Sequence, residues 1–397
     1  MTTLTTPTAE TVRPRLSERV RGVPPSGIRK FFDVLNSMPD VISLGVGEPD
    51  FDTPAAIVEA GVRSLRAGRT HYTSNYGTIE LRRALATHLQ SRYGVAYDPE
   101  REIVITVGVS EALAASLAAV VDPGDEVVLA EPTYVAYVPD IVFAGGVPVF
   151  VPARPEDGWQ LDPDAVEAAI TPRTRALFLG FPNNPTGAVL EPERLRAVAA
   201  IAERHDLLVI SDEVYDRLVY GGHRHEAFSA LPGMRERTIL LGGFSKAYAM
   251  TGWRIGYTCA PVDLLDGIVK VHQYIIMSAP TMAQDAALAG LTEAEADVQR
   301  MVGEYDRRRR MFVAGLERIG LPTAEPRGAF YAFPRITGSG LSSDAFSERL
   351  LFEQHVAVIP GSAFGPSGEG YVRASLATSY EKLEEALERI ERFLTAH

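Results

Sequence analysis

Residues 241–257 have the sequence LGGFSKAYAMTGWRIGY, in which a lysine and an arginine follow closely on an apolar run. That run, residues 238–241, predicts a buried strand, and a second apolar run ends near Cys259. Burial of a lysine such as Lys246 lowers its pKa and makes the amine a nucleophile for aldehydes. The guanidinium of Arg254 offers a rigid fork that suits a phosphate. The segment therefore predicts a strand, a turn and a strand that together bind a phosphorylated aldehyde.

Short apolar runs rich in β-branched residues alternate with helical patterns between residues 103 and 257. The runs predict strands buried on both faces, and the patterns at 110–121, 164–170 and 192–204 predict the helices that cover them. The sequence therefore predicts an α/β fold with a mostly parallel sheet. Ligands of such sheets bind at the carboxyl ends of the strands, which is where the candidate site residues follow the predicted strands.

Two of these strand ends carry groups suited to a phosphorylated ring. The segment Gly108-Val-Ser-Glu111 opens a predicted helix, whose backbone N–H groups and Ser110 hydroxyl favour a phosphate. Asp212 ends the run at 207–210, where a carboxylate can keep a pyridine nitrogen protonated. Each of these two side chains could instead be an ordinary helix N-cap, which explains the same residue types.

Three further positions suggest ligand contacts. In Phe181-Pro-Asn-Asn-Pro-Thr-Gly187, two prolines and a glycine fix an irregular turn that can hold the Asn184 amide rigidly against a ring hydroxyl. Gly47 leaves room for backbone to approach a ligand, although a turn alone would also explain it. Arg373 lies among apolar residues, where an unpaired charge is costly, so it requires either a substrate carboxylate or an internal Asp or Glu.

From about residue 15 to its end, the chain resembles the fold type I, class I/II aminotransferases, which use pyridoxal 5′-phosphate. The resemblance rests on Ser245-Lys246 followed by Gly-x-Arg-x-Gly, on Asn-Pro-Thr-Gly from Asn184, and on Arg-x-Ser-x-Ala from Arg373. It implies a seven-stranded sheet in a large domain at 53–292, a smaller α+β domain at 293–397, and a segment at 15–52 that joins the small domain. Residues 1–14 are expected to form a disordered tail.

The resemblance also implies a role for each site residue. Lys246 is expected to attach covalently to the cofactor and then to move the substrate proton, while Asp212 bonds the pyridine nitrogen. Gly243 stands where several members carry a phosphate-binding serine, which leaves that contact to Ser245. The further cofactor contacts implied are Val109, Ser110, Tyr134 on the ring face, Asn184 and Tyr215 on the phenolic oxygen, and Arg254. The implied substrate contacts are Gly47, Asn184, Phe330 and Arg373.

Tyr72 matches the tyrosine that members of this family send across a homodimer interface to the cofactor phosphate of the other subunit. It precedes Gly77 in a loop rich in glycine, asparagine and serine, a kind of segment that often carries binding residues. A core tyrosine with a bonded hydroxyl is the alternative. The resemblance therefore predicts a homodimer with shared active sites.

The activity expected is transfer of an α-amino group from an amino acid to a 2-oxo acid. The side-chain pocket is expected at residues 274–277 and Phe330, where no basic residue occurs, and position 110 is serine where one branch has a lysine. An unpaired substrate carboxylate there would cost roughly several kcal/mol. We therefore expect a neutral, aromatic or large aliphatic donor, with 2-oxoglutarate as acceptor. Aspartate aminotransferase, a β-lyase on the same fold and a non-catalytic binding protein are the alternatives.

Composition excludes several other classes of partner. The net charge of −12 disfavours nucleic acid and anionic membranes, and the arginines at 307–310 have acidic neighbours that predict a solvated helix face. The single cysteine, Cys259, lies in an apolar run and is expected in the core. Without a signal peptide or a transmembrane run, a cytoplasmic location is expected. No metal site is predicted.

Overall fold

The computed structural model describes residues 15–25, 38 and 40–396, so the expected tail at 1–14 lies outside the described residues. Within the described part, no helix combines the length and the apolar character needed to cross a membrane. The strands there are β1 (Ile42–Ser43), β2 (Ile103–Thr106), β3 (Glu126–Glu131), β4 (Val147–Pro152), β5 (Thr174–Gly180), β6 (Leu208–Asp212), β7 (Thr238–Gly243), β8 (Gly256–Cys259), β9 (Tyr331–Ala332), β10 (Val356–Ala357), β11 (Ile359–Pro360) and β12 (Val372–Ser375). The α-helices are α1 (Glu18–Gly22), α2 (Ala55–Arg66), α3 (Ile79–Tyr93), α4 (Gly108–Val120), α5 (Tyr137–Ala144), α6 (Pro163–Ala169), α7 (Pro192–Arg204), α8 (Val262–Ile275), α9 (Thr281–Glu293), α10 (Glu295–Arg318), α11 (Ser343–Gln354) and α12 (Tyr380–Ala396).

Seven strands form the central sheet, in the order β2-β8-β7-β6-β5-β3-β4. The five strands from β7 to β4 in this order pair in parallel, whereas β8 runs antiparallel to both of its neighbours. Every residue of β2, β3 and β8 is buried, as expected for strands covered on both faces. The prediction of an α/β fold with a mostly parallel sheet is confirmed.

The three predicted helices are present as α4, α6 and α7, with ends that differ from the prediction by two residues at most. Helix α7 has the predicted bounds. Gly94 ends α3 in the left-handed conformation, with φ of 75°, which glycine adopts at no steric cost. Pro192 lies in the first turn of α7, where a backbone N–H would have no partner within the helix. Helix α5 has no counterpart among the predicted helices.

The C-terminal part of the chain forms a second, smaller layer. Strands β11, β12 and β9 make an antiparallel sheet, and β1 pairs in parallel with β10. Helix α10, 24 residues long, leads into this layer. Because β1 pairs with β10, residues 42 and 43 lie against the C-terminal layer. This pairing supports the division at residues 53 and 293, which stays a prediction.

The arginines at 307–310 correct one expectation, because only Arg307 and Arg310 lie on an exposed helix face. Arg308 and Arg309 are 5% and 4% exposed, although a solvated face was predicted for the whole group. A buried guanidinium needs compensating charge, and the acidic neighbours in the sequence provide much of it. The ion-pair partners are Glu304 for Arg307, Asp50 and Glu304 for Arg308, Asp306 and Glu325 for Arg309, and Asp306 for Arg310.

Cys259 lies in β8 with no exposed surface, as predicted for a core residue. It pairs in register with Ile103 of β2 and Leu240 of β7, so strands flank it on both sides. Burial raises the pKa of its thiol. The reactive thiolate form is therefore suppressed near neutral pH.

Candidate active site

A cavity of about 440 Å³ lies at the carboxyl ends of the parallel strands, between the central sheet and β12. Parallel strands end at one edge of a sheet, so side chains that follow them are brought together. All of the predicted site residues line this cavity except Tyr72 and Phe330. Those that line it are Gly47, Val109, Ser110, Tyr134, Asn184, Asp212, Tyr215, Ser245, Lys246, Arg254 and Arg373.

Lys246 lies in the turn after β7, three residues beyond the end of the strand rather than at its last position. Its Nζ donates a hydrogen bond of 2.7 Å to the carbonyl oxygen of Gly47. Burial lowers the pKa of Lys246 to about 8, a net shift that the nearby guanidinium groups of Arg373 and Arg254 favour and the attraction of Glu48 opposes. A substantial fraction of this amine is therefore neutral, and nucleophilic, near physiological pH.

Asp212 is the last residue of β6, and a turn follows it rather than a helix, so the helix N-cap alternative is wrong. Its Oδ2 accepts a 2.9 Å hydrogen bond from the Tyr137 hydroxyl, and its Oδ1 accepts one of 3.1 Å from the Val214 N–H. Burial raises the pKa of Asp212 to about 6, although both hydrogen bonds act to lower it. Within the described residues no ion pair compensates this buried carboxylate.

Arg373 lies in β12 and is 2% exposed. Its Nη1 donates to Asn184 Oδ1 at 3.0 Å, and its Nη2 donates to the Gly45 carbonyl at 2.6 Å. The Nε is buried without a hydrogen-bond partner, and no Asp or Glu of the described residues forms an ion pair with the guanidinium. An internal carboxylate partner was therefore the wrong alternative. A buried guanidinium with an unused N–H is well suited to bind a carboxylate ligand.

Two tyrosines lie beside this arginine. Tyr215 and Tyr331 share a hydrogen bond of 2.7 Å between their hydroxyls, and either can be the donor. The Arg373 guanidinium lies 4.5 Å from the centroid of the Tyr331 ring. A Cβ on Gly47 would lie 2.5 Å from the Tyr331 hydroxyl, so only glycine fits there. The missing side chain of Gly47 therefore leaves room for the Tyr331 hydroxyl, and the approach of its backbone to a ligand stays a prediction.

The opposite end of the cavity carries the groups predicted to bind phosphate. Helix α4 begins at Gly108, after an N-cap at Val107 that makes no side-chain cap bond, so Ser110 lies within the first turn and is not the cap. Arg254 lies two residues before β8, not on it, in the left-handed conformation with φ of 52°. A Cβ on Gly108 would lie 2.5 Å from Arg254 Nη2, which shows how closely the guanidinium approaches the helix N-terminus.

A buried pair lies behind this helix N-terminus. Glu111 accepts a hydrogen bond from the Val107 N–H through Oε2, and its Oε1 contacts Nδ1 of His272 on α8. Both side chains are almost fully buried. Because Val107 precedes Gly108, this pair holds the turn from which the first N–H groups of α4 project.

Three parts of the predicted site do not line the cavity. Tyr72 is 80% exposed, so the alternative of a core tyrosine is wrong. Phe330 is fully buried behind the cavity wall, where its ring packs on Tyr215, and the neighbouring Tyr331 lines the cavity instead. The predicted side-chain pocket at residues 274–277 is a surface segment in this chain, where Tyr274 is 87% exposed. That segment does not line the cavity.

The cavity-lining residues that the sequence predictions missed include three with titratable side chains, Tyr137, Tyr331 and Glu48. Tyr137 follows Tyr134 by three residues, and Tyr331 follows Phe330 directly. Glu48 is adjacent to Gly47 and accepts a hydrogen bond from the Thr251 hydroxyl. Each lies next to a residue that was predicted, so proximity in sequence was the available signal.

The cavity residues fit pyridoxal 5′-phosphate. The N–H groups at the start of α4, the Arg254 guanidinium and the hydroxyls of Ser110 and Ser245 form a donor set for a phosphate. The uncompensated buried carboxylate of Asp212 suits a protonated ring nitrogen, because burial of a single charge is costly without a partner. The Lys246 amine suits an aldehyde carbon.

Comparisons with known proteins agree with this geometry. The family model described as "Aminotransferase class I and II" matches residues 39–390. The chain is 47% identical over 381 residues to the aspartate aminotransferase of Pyrococcus abyssi, a match that covers 96% of this chain and 98% of that protein. It is 46% identical over 381 residues to aromatic-amino-acid aminotransferase 2 of Thermococcus litoralis, with the same coverage. The crystal structure of Pyrococcus protein-A1 matches with a TM-score of 0.94 at 47% identity and covers 96% of this chain and 98% of that one.

Proposed function

The chain belongs to the class I and II aminotransferases, and on that premise we propose that its donor is a neutral, aromatic or large aliphatic L-amino acid and its acceptor 2-oxoglutarate. Enzymes of this family depend on pyridoxal 5′-phosphate, whose protonated ring takes up the negative charge that forms on the substrate α-carbon. A β-lyase would use much the same residues. Release of a 2-oxo acid together with ammonia would indicate that alternative.

We assign the protein's own part in the reaction to three side chains. The Arg373 guanidinium binds the substrate α-carboxylate and so orients the amino group towards Lys246. The neutral Nζ of Lys246 would move the proton between the substrate α-carbon and the cofactor's C4′, a role that its lowered pKa favours. The carboxylate of Asp212 keeps the ring nitrogen protonated.

One observation carries the proposal for the donor. Among the described residues, Lys246, Arg254 and Arg373 are the only cationic side chains that line the cavity. Each already has a proposed partner: the aldehyde, the phosphate and the α-carboxylate. Within this chain the side-chain carboxylate of aspartate would therefore be buried without a cation, at a cost of roughly several kcal/mol. The distal carboxylate of 2-oxoglutarate needs a group that tolerates its charge from outside this lining, such as one from the other subunit of the proposed dimer.

Kinetics with a panel of donors test this proposal. We expect kcat/KM for phenylalanine, leucine or methionine to exceed that for aspartate by at least about tenfold, because the buried second charge has no partner. Aspartate is the competing donor to measure, because the similar protein of Pyrococcus abyssi is an aspartate aminotransferase. A clear preference for aspartate would contradict the proposal. Alanine is the control, because it has the α-amino and α-carboxylate groups but no large side chain.

We also propose a homodimer whose subunits share their sites. Tyr72 and the segment at 274–277 are exposed, although they are largely apolar. The Asn75 amide bonds to Gln273, and the Thr281 hydroxyl bonds to the His71 carbonyl, so the Tyr72 loop and the C-terminal end of α8 form one surface. An exposed apolar surface of this kind is typical of a protein interface. The expected cytoplasmic location stays a prediction.

A further inference from the structure

Arg308 joins helix α10 to two other segments of the chain. Its guanidinium donates to both carboxylate oxygens of Asp50, at 2.8 and 2.9 Å, and to Glu304 Oε1 at 2.9 Å. Nη1 also reaches the carbonyl oxygen of Leu376 at 3.4 Å. The ring of Phe51 lies 5.1 Å from the guanidinium and helps to exclude water from it. The side chain does not line the cavity.

The two segments that Arg308 joins carry the two sides of the site for the α-carboxylate. Asp50 follows Gly47 by three residues, and Leu376 follows Arg373 by three. Closer to the cavity the same segments are bonded directly, since Arg373 Nη2 donates to the Gly45 carbonyl at 2.6 Å. The Ser375 N–H donates to the Leu44 carbonyl at 2.7 Å. Arg308 is therefore a cross-link on the side of this site that faces away from the ligand.

We propose that Arg308 is a positioning residue that fixes the Arg373 guanidinium relative to the Gly45–Gly47 backbone, and so sets the affinity for the substrate α-carboxylate. The inference rests on the proposed function, which assigns that carboxylate to Arg373. Its physical basis is geometric, because displacement of a binding group by a fraction of an ångström weakens a bidentate contact. Lysine cannot replace Arg308, because a single ammonium cannot bond two carboxylates and a carbonyl in this planar arrangement.

Arg309 provides a matched control on the same helix. It is buried to the same degree, donates to Asp306 and Glu325 at 2.9 and 2.7 Å, and reaches the Pro326 carbonyl at 3.3 Å. Its ring contact is with Tyr220. It therefore has the chemistry of Arg308 but bonds to neither of the segments on which the α-carboxylate site depends. R308K and R309K should have similar effects on stability and different effects on ligand binding.

The experiment uses the holoenzyme and propionate, a carboxylate that lacks the amino group, with the absorbance of the bound cofactor as the signal. We expect R308K to raise the dissociation constant of propionate by about tenfold, as for loss of a well-placed contact to a charged group. D50N, which removes the charge of the partially exposed partner, should raise it several-fold, and R309K should change it less than about twofold. The KM for phenylalanine should rise in parallel while kcat stays within about twofold, the pattern of lost uniform binding.

A further variant, R373K, separates this inference from the proposed function. If R373K leaves propionate affinity unchanged, the assignment of the α-carboxylate to Arg373 fails, and the inference fails with it. If R373K weakens binding but R308K and D50N do not, the inference is overturned and the proposed function stands. Equal weakening in R308K and R309K also overturns it, because the effect would then be a general loss of stability. Should R308K fail to fold, D50N decides the question.

Discussion

Tyr137 contributes a hydrogen bond to the group on which the cofactor's chemistry depends. Its hydroxyl is 2.9 Å from Asp212 Oδ2, and this bond opposes the effect of burial, so that the pKa of the Asp212 carboxyl is raised to about 6 and no further. A hydroxyl that donates to a carboxylate stabilises the charged form. The Tyr137 side chain therefore helps to keep Asp212 ionised at neutral pH, where the carboxylate must hold a proton on the ring nitrogen.

Substitution of Tyr137 by phenylalanine should move the acidic limb of the pH profile of kcat/KM to higher pH. Without the hydrogen bond the pKa of Asp212 rises, so the carboxylate is protonated, and lost, at a higher pH than in the unmodified protein. Tyr93→Phe is the control, because it removes a tyrosine–aspartate hydrogen bond to Asp216 away from the cavity. An acidic limb that stays in place, or that moves equally in both variants, would contradict this role.

The residue contacts that escaped sequence-based prediction are those between distant segments. Lys246, Asn184 and Asp212 could be identified because local motifs or strand ends mark them. The bond from Tyr137 to Asp212 and that from Arg308 to Asp50 join residues far apart in the chain. A single sequence records neither the distance nor the direction of such a contact. The buried face of α10, by contrast, follows a regular apolar repeat through Tyr305 and Phe312, which places positions 308 and 309 inwards. The helical period therefore indicates which two of the four arginines at 307–310 are buried, but not which residues they bond.

At the scale of elements, the first turn of α4 is held from behind by Glu111 and His272. Glu111 accepts the Val107 N–H, so the turn that aims the helix N-terminus is bonded to a carboxylate rather than to water. His272 Nδ1 in turn contacts the other carboxylate oxygen of Glu111. Helix N-terminal N–H groups bind a phosphate only when they are correctly directed. The pair should therefore matter for the cofactor's phosphate and not for its ring.

Substitution of Glu111 by alanine should weaken binding of pyridoxal 5′-phosphate to the apoprotein on the order of tenfold, because it leaves a buried N–H unpaired in the phosphate-binding turn. Binding of pyridoxal, which lacks the phosphate, should change much less. Glu193→Ala, in the exposed first turn of α7, is the control. Both dissociation constants can be measured by titration of the apoprotein and monitoring of absorbance. Equal losses for the two ligands would show that Glu111 has only a general structural role.

Elements were predicted well where local chemistry marks them and missed where it does not. Helix α7 has the predicted bounds because Pro192 marks its start. Helix α5 was missed because Tyr137–Ala144 contains a proline and has almost no polar face. The direction of β8 could not be predicted, because a fully buried strand shows the same apolar pattern in parallel and antiparallel pairing.

For the whole molecule, the proposed dimer predicts that two inactive variants complement each other. Lys246→Ala removes the amine from its own site, whereas a Tyr72→Ala subunit would impair the site of its partner. Random exchange of subunits should form hybrid dimers with one intact site, so a 1:1 mixture should recover about a quarter of the activity of the unmodified protein. Size-exclusion chromatography should show a dimer in each sample.

The control for this experiment is a mixture of Lys246→Ala with Arg373→Lys subunits. Lys246 and Arg373 line the cavity of the same chain. Every site in a hybrid dimer of these two variants therefore lacks either Lys246 or Arg373. Recovery in the first mixture and none in the second would support shared sites. A fully active monomer, or recovery in neither mixture, would count against them.

Contacts between distant segments also decide the domain organisation, and the sequence alone does not reveal them. The alternation of strands and helices predicted the central sheet, because each strand and its helix are close in sequence. The pairing of β1 with β10 joins residues more than three hundred positions apart. Residues 274–277 lie at the surface because the end of α8 projects from the folded chain. Their apolar composition, taken alone, predicted that they line a pocket of this chain.

The buried position of Cys259 has a practical consequence for experiments on assembly. Because the only thiol of the chain is enclosed in β8 and its pKa is raised, maleimide and nitroxide reagents should leave the unmodified protein unlabelled. A cysteine introduced at Tyr72 or at Tyr274 would then be the unique attachment point for a spectroscopic probe, with no need to remove a native thiol first. Spin–spin distances between two such probes would report directly on how two copies of the chain face each other in solution.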